Sequence, residues 1–523
     1  MVDDFKHNLK RSAKGSAILA VSQILSTLLL AIGMLVVARI LGSTSWGLLS
    51  IANSIVTLVQ LFQDFGIKDT LTKYISENKQ LGKNGNVKKI IESGVVLSLA
   101  SSVILTFLLI LSADYIAVTV YKDSELAQLI KLLSIAIIGR ALLFTSYGIT
   151  EGYERMELRG ALRVIYTFFK SILSPFLVLL GYGVLGGVLG EVGPIITTGL
   201  IGLFIIFILY RSEPRNDNDL SYRDILLLFL SFGGPLYFAN LLTSIRPQLL
   251  TFLMGLYVGE EIAGNWTIVL WFSSLISFVY LPIRTTIFPL LSKLTDKKEL
   301  EFVYKNSIKF ATLLTYPIAF TILALSDQII TVLFTNEYSY APVFLRLYMI
   351  TFLYTGIGSL SNIPLLNSQK HTKETLKIQI IQFLIPIAPA IFIIPRFGAI
   401  GEIILLLIGV GVSKIYAVIK IKHLFGFTID FSSSLKLFLS GIVSSLVTWG
   451  ICEIVTINPG IELFLGGFVS LTAYTLLVFL LKALTLKDYK RLHEIAETFG
   501  PFSKPVQWVT NLLMKHQNSF VPP

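Results

Sequence analysis

The sequence predicts an all-α polytopic membrane protein of about 14 transmembrane helices. They fall into two pseudo-symmetric six-helix lobes, arranged as parallel repeats, with two further helices at the C-terminus. Composition, charge sorting and self-similarity at long range predict it. Of 523 residues, 54% are hydrophobic and 14% charged, and the mean hydropathy is +0.74. A soluble domain has roughly 25% charged residues. A soluble chain this apolar would lack the polar surface to cover its core. The apolar runs are continuous rather than alternating, which argues against a transmembrane β-barrel.

A spanning helix needs about 20 mainly apolar residues. Segments that qualify are 15–40, 47–65, 90–111, 126–148, 161–181 and 184–210, then 225–254, 262–290, 310–334, 343–366, 378–395 and 399–419, and finally 437–454 and 461–481. The fifth and seventh are the weaker ones, since each contains a basic residue. The expected organisation is an N-lobe at 1–222, a C-lobe at 223–428, two helices within 429–485 and a cytoplasmic amphipathic tail at 486–523. Spans at about 22 residues each leave only short loops, with no room for a soluble catalytic domain of roughly 100 residues.

Charge sorting sets the orientation. With both termini cytoplasmic, 33 of the 43 Lys and Arg fall in inside segments. Only Lys122 and Arg396 fall outside, and the other eight lie within helices. This is the positive-inside pattern, which sets the orientation; the expected location is the cytoplasmic membrane. The apolar run after Lys14 is too long for a signal-peptide core, so it reads as a retained first span. The single cysteine, Cys452, excludes a disulfide framework and a cysteine metal site. The net charge of +11 is accounted for by membrane sidedness, and no nucleic-acid partner is expected.

The chain repeats itself at an offset near 215. Gly183-Val184-Leu185-Gly186 matches Gly398-Ala399-Ile400-Gly401. Trp46-Gly47 precedes Gly264 and Trp266 by 220 and 217 residues, taken crosswise. Ser112-Ala113-Asp114 matches Ser326-Asp327, and Lys131 corresponds approximately to Arg346. Six spans fit inside one offset. Six is even, so both copies share one orientation, as in transporters built from parallel repeats.

The stretch "ARILGSTSWGLLSIANSIVTLVQLFQDFGIKDTLTKYISE" resembles the N-terminal signature of polysaccharide-biosynthesis flippases. These are the Wzx-type branch of the multidrug/oligosaccharidyl-lipid/polysaccharide exporter superfamily. "FGGPLYFANLL" and "AGNWTIVLWFSSLISFVYLPIRTTIFPLLSKL" look like the start of that family's second lobe, and "FTNEYSYAPVFLRLYMI" and "PRFGAIGE" fit further on. The resemblance covers roughly residues 15–425. It implies two six-helix lobes around a central cavity. It also implies export of polyprenyl-(di)phosphate-linked glycans from the inner to the outer leaflet.

Ionisable groups inside the membrane point to function, because each costs roughly 2.5–3.5 kcal/mol at mid-helix on insertion scales. Arg39, Lys131, Arg346 and Lys414 lie near helix ends, where they can snorkel. Arg140, Lys170, Arg246 and Arg284 lie deeper and are the candidate cavity cations. A buried ion pair is the bland reading of such residues. A cationic cavity suits a phosphate head, because Arg offers it a bidentate fork and Lys a point charge. Glu191 is the candidate acid, for ion pairing or for a coupling proton. Glu402 and Asp64 are the other acids in or at the end of spans.

No catalytic motif stands up. Asp217-Asn218-Asp219 has the tripeptide form used for metal-nucleotide binding, but it sits in a short cytoplasmic loop. His7, His371, His423, His493 and His516 have no metal-ligand spacing. No phosphate-binding nucleotide loop is present, and no metal or cofactor is expected beyond a coupling H+ or Na+. Asn265-Trp266-Thr267 is a glycosylation sequon abutting a span. The amphipathic stretches 67–81, 487–499 and 506–514 read as basic interfacial anchors. The expected partners are the bilayer, a polyprenyl-linked glycan and other glycan-assembly membrane proteins. The alternatives to a flippase are a drug or cation antiporter on the same fold, and a membrane-embedded glycan polymerase or ligase.

Overall fold

The computed structural model describes residues 2–214, 220–279, 281–455, 458–497 and 507. The Asp217-Asn218-Asp219 tripeptide and His516 lie outside the described residues, as does nearly all of 506–514. Every regular element among the described residues is helical. In chain order they are α1 Val2–Gln60, α2 Ile67–Gln80, α3 Asn84–Asp114, α4 Glu125–Gly152, α5 Met156–Leu177 and α6 Gly183–Ser212. Then come α7 Tyr222–Leu228, α8 Gly234–Val258, α9 Glu260–Val279, α10 Leu281–Lys293, α11 Lys297–Ala324 and α12 Ser326–Leu333. The last six are α13 Ala341–Leu353, α14 Asn362–Ser368, α15 Thr372–Phe425, α16 Phe431–Ile454, α17 Pro459–Leu480 and α18 Leu486–Glu497.

By length and apolarity, nine helical stretches among the described residues could cross a membrane, or ten if the bent pair Ala341–Ile357 and Asn362–Ser368 counts as one. Fourteen crossings are not reached on that criterion. Three of the nine are too long for a single crossing. α15 alone has 54 residues, about 81 Å of helix against a hydrocarbon core of about 30 Å. Glycines divide all three. α1 breaks at Gly42 (φ 74°, ψ 174°), and α15 at Gly398 (φ 58°, ψ −151°). The stretch Met156–Ser212 turns at Gly181 and Gly183. These breaks fall between the paired spans expected from the sequence.

The repeat is visible in the backbone. Gly183 (φ 54°, ψ −134°) matches its partner Gly398. Gly42 matches Gly259 (φ 87°, ψ 178°) at an offset of 217. These conformations are open only to glycine at low cost. The expected correspondence of Lys131 and Arg346 also holds. Lys131 Nζ pairs with Asp114 Oδ1 at 2.7 Å, and Arg346 pairs with Asp327. Both cations were expected near helix ends, and each meets an exposed carboxylate there. Lys414 departs from the expectation: it is buried.

Close packing divides the chain into two units. One comprises Met1–Trp271, Leu333–Ala341 and Pro386–Glu402; the other comprises Phe272–Val332, Pro342–Ile385 and Ile403–Pro523. In the first, Gly47 and Gly264 bring α1 and α9 together reciprocally. A Cβ on Gly47 would stand 1.9 Å from the Glu260 carbonyl oxygen, and one on Gly264 would stand 2.0 Å from that of Ser43. Ser43 and Glu260 are themselves repeat partners, so the contact has local two-fold character.

Two amphipathic helices pack inward rather than onto lipid, a correction to the anchor reading. α2 buries Ile67, Leu71 and Ile75 against α3 and α4. α18 buries Tyr489 beside Tyr316 and Tyr474 in the second unit. Asp488 holds α18 in place with Lys309 Nζ at 3.3 Å. Burial raises the Asp488 carboxyl, but hydrogen bonds from Thr485 and the Lys309 charge outweigh it and hold the group below the usual range. The Asn265 sequon is closed to modification in the folded chain. Asn265 is fully buried, and its Oδ1 accepts the N–H groups of Tyr340 and Ala341 at 3.1 and 2.8 Å.

Candidate functional site

Small residues determine which charges meet. Gly186 and Gly190 on α6 let α5 approach, and a Cβ on Gly190 would stand 2.3 Å from Ser174 Cα. Gly139 on α4 and Gly199 on α6 do the same for that pair, with 2.7 Å from a Gly199 Cβ to the Gly139 carbonyl oxygen. Small residues at such spacings are how membrane helices pack backbone to backbone. The approach carries Glu191 of α6 between Arg140 of α4 and Lys170 of α5.

Glu191 is the hub. Arg140 Nη2 donates to its Oε1 at 2.8 Å, and Lys170 Nζ pairs with its Oε2. The Tyr166 hydroxyl donates to Oε1 at 2.9 Å. Arg140 also donates through Nη1 to Gln60 Oε1 and reaches Thr57 Oγ1 at 3.5 Å. The Glu191 side chain is only 5% exposed, and those of Arg140 and Lys170 are 17% and 20% exposed. Two cations share one carboxylate, so the cluster keeps a surplus of one positive charge.

The surplus faces a cavity of about 230 Å³. Arg140, Lys170 and Glu191 line it with residues of α1, α5, α6, α8 and α9, among them Trp46, Asn53, Gln248 and Trp271. At its α1–α9 wall the Trp46 indole N–H donates to Thr267 Oγ1 at 3.0 Å, and Ser50 Oγ lies 3.1 Å from the same oxygen.

Three of the five expected site residues therefore come together. Arg246 does not join them. It is half-buried on α8, next to the cavity-lining Pro247 and Gln248, with Glu402 as an electrostatic neighbour. Glu402 is fully buried, and neither carboxyl oxygen has a hydrogen-bond partner among the described residues. Arg284 lies on α10, and its side chain is outside the described residues. Gln60, Asn53 and Gln248 carry no charge, so the cost of ionisable groups in lipid does not point to them. Tyr166 had a usable signal, since it sits one turn from Lys170 on α5.

Comparison with known proteins decides the family. The model for the family described as polysaccharide biosynthesis protein matches residues 12–295, more than half of the chain. The chain belongs to that family. It is 23% identical, over 488 residues, to the probable low-salt glycan biosynthesis flippase Agl15 of Haloferax volcanii. That alignment covers 92% of this chain and 98% of the relative. Its fold is similar to the lipid II flippase MurJ in an inward closed conformation, with a TM-score of 0.71 at 16% identity, covering 89% of this chain and 98% of MurJ. It is also similar to an inward-facing multidrug resistance MATE family transporter of the MOP superfamily. There the TM-score is 0.64 at 17% identity, covering 76% of this chain and 94% of that one. The family and fold expected from the sequence motifs are those found. These named relatives are flippases and transporters, in line with a transporter rather than an enzyme.

Proposed function

We propose that this family member is a flippase. It moves a polyprenyl-(di)phosphate-linked oligosaccharide from the inner to the outer leaflet of the cytoplasmic membrane by alternating access. The observation that carries this reading is the Arg140–Lys170–Glu191 cluster, with its surplus positive charge facing a cavity in an otherwise apolar assembly. A phosphate head leaving water needs charge-assisted donors, and a guanidinium beside an ammonium supplies both a fork and a point charge. Pockets for drug-sized ligands measure about 300–1,000 Å³. The present 230 Å³ suits a head group, and an oligosaccharide requires the cavity to widen. The names of Agl15 and MurJ, both flippases, support the same reading.

A cation antiporter is the second reading, favoured by the likeness to the MATE transporter. The charge of the cavity separates the two, because a cationic drug would be repelled by the surplus. A coupling H+ or Na+ remains part of the proposal, with Glu191 and Glu402 as the buried acids to probe.

The test is restoration of surface glycan in a flippase-deficient host, normalised to membrane-inserted protein. The wild-type chain should restore it, and Arg140→Ala should not. Efflux of a fluorescent organic cation without glycan restoration would overturn the flippase reading in favour of the antiporter.

A further inference from the structure

The face of α5 that carries Tyr166 and Lys170 continues toward the expected cytoplasmic end through Arg163 and Arg159, at steps of three to four residues. The contacts of these residues show where that face looks. Tyr166 and Lys170 reach Glu191 on α6, and Arg159 Nε meets Glu151 Oε1 on α4 at 2.6 Å. Arg159 also lies over the ring of Tyr147, 5.7 Å from its centroid.

Arg163 lies between these two groups and differs from both. It is half-buried, and its electrostatic neighbours are Tyr147 and a like charge, Arg159. Among the described residues its guanidinium has no hydrogen bond and no ion pair. The carboxylate beside Arg159, Glu151, is also shared with Lys68 at 3.7 Å. A partly desolvated guanidinium without a partner is costly to hold. Among the described residues, no ion pair or hydrogen bond offsets that cost. The next cation along the face is Lys170, about 10 Å further on.

We propose that Arg163 is a phosphate-binding residue on the cytoplasmic approach to the cavity, engaging the anionic head before Lys170 and Arg140 do. This rests on the phosphate reading given under Proposed function and adds a site to it. The phosphate could be borne by the polyprenyl cargo or by an anionic membrane lipid. The chemistry is the same, and the test separates the two.

The full chain in nanodiscs of zwitterionic lipid is titrated with farnesyl diphosphate, and with farnesol as the uncharged control. Arg163→Gln should weaken farnesyl diphosphate binding about tenfold, the loss of one charge-assisted pair, and leave farnesol unchanged. Arg163→Lys should recover part of the loss. Arg163→Gln should also leave the melting temperature unchanged or raise it, since an unpaired charge is removed. Competition by phosphatidylglycerol added to wild-type discs but not to Arg163→Gln discs would assign the site to lipid headgroups as well. Its absence would assign the site to the cargo, and either result supports phosphate binding. Unchanged binding in Arg163→Gln, or a lowered melting temperature, would overturn the inference alone. Failure of the wild-type chain to bind farnesyl diphosphate would overturn the phosphate reading and this inference with it.

Discussion

The two halves of the chain share a backbone plan but not a charge pattern. Gly183 and Gly398 break their helices in the same conformation, and Gly42 and Gly259 do so again. Asp114 and Asp327 each hold a cation one helix away. Yet the positions one repeat beyond Arg140, Arg163, Lys170 and Glu191 are Thr355, Ile378, Ile385 and Leu406. The breaks are constrained by geometry that only glycine satisfies cheaply, so both halves keep them. The buried charges are costly in a membrane, which makes them the candidates for a site. On the proposed reading, the symmetric features belong to the scaffold and the asymmetric ones to the chemistry.

That contrast can be broken most sharply at Glu191. Glu191→Gln leaves Arg140 and Lys170 buried without their carboxylate, and should cost about 3–5 kcal/mol. Thermal stability of detergent-extracted protein would show it as a loss of folded chain. Adding Lys170→Met should restore much of the stability. The repeat-related change Ile385→Met should cost less than about 1.5 kcal/mol. An equal cost at 191 and 385 would end the distinction between site and scaffold.

Next in size is the reciprocal contact at Gly47 and Gly264. Ala at either position has no space, and should cost about 1–3 kcal/mol through overpacking. Because the two contacts are repeat-related, the two losses should be similar in the same melting assay. A large effect at one position alone would show that the α1–α9 contact lacks two-fold character.

A smaller effect separates the two ends of that contact by pH. Burial, and then Asp123 beside it, push the Glu260 carboxyl up to about 7. The partner position is Ser43, which has no charge to titrate. A raised acid is protonated in the folded state after it has ionised in the unfolded one. Its contribution is therefore full below pH 4.5 and declines as pH rises through about 7. A melting series across that range should slope downward in the wild-type chain and flatten in Asp123→Asn. The smallest effects belong to Lys131–Asp114 and Arg346–Asp327. Cutting either exposed pair should change stability by under about 1 kcal/mol.

The helical class and the paired spans were legible because apolar length is a local property of the sequence. So were Arg140, Lys170 and Glu191 as costly groups. Their meeting was not, since it depends on close approach at Gly139, Gly190 and Gly199 across three helices. Nor was the difference between Arg246 and the cluster, or the lack of a partner for Arg163 among the described residues, because depth along a helix says nothing about which face a residue occupies. The inward packing of α2 and α18 escaped for a related reason. An amphipathic pattern shows that one face is to be buried, but not against what.

The central claim is that the N-terminal cluster handles the cargo's phosphate. Its most direct test is the initial rate at which a polyprenyl-diphosphate-linked oligosaccharide crosses proteoliposomes containing Lys170→Met/Glu191→Gln. That pair removes one charge of each sign and is expected to keep the chain folded. Protein at wild-type level and a rate reduced at least tenfold are expected. Translocation at the wild-type rate would contradict the claim.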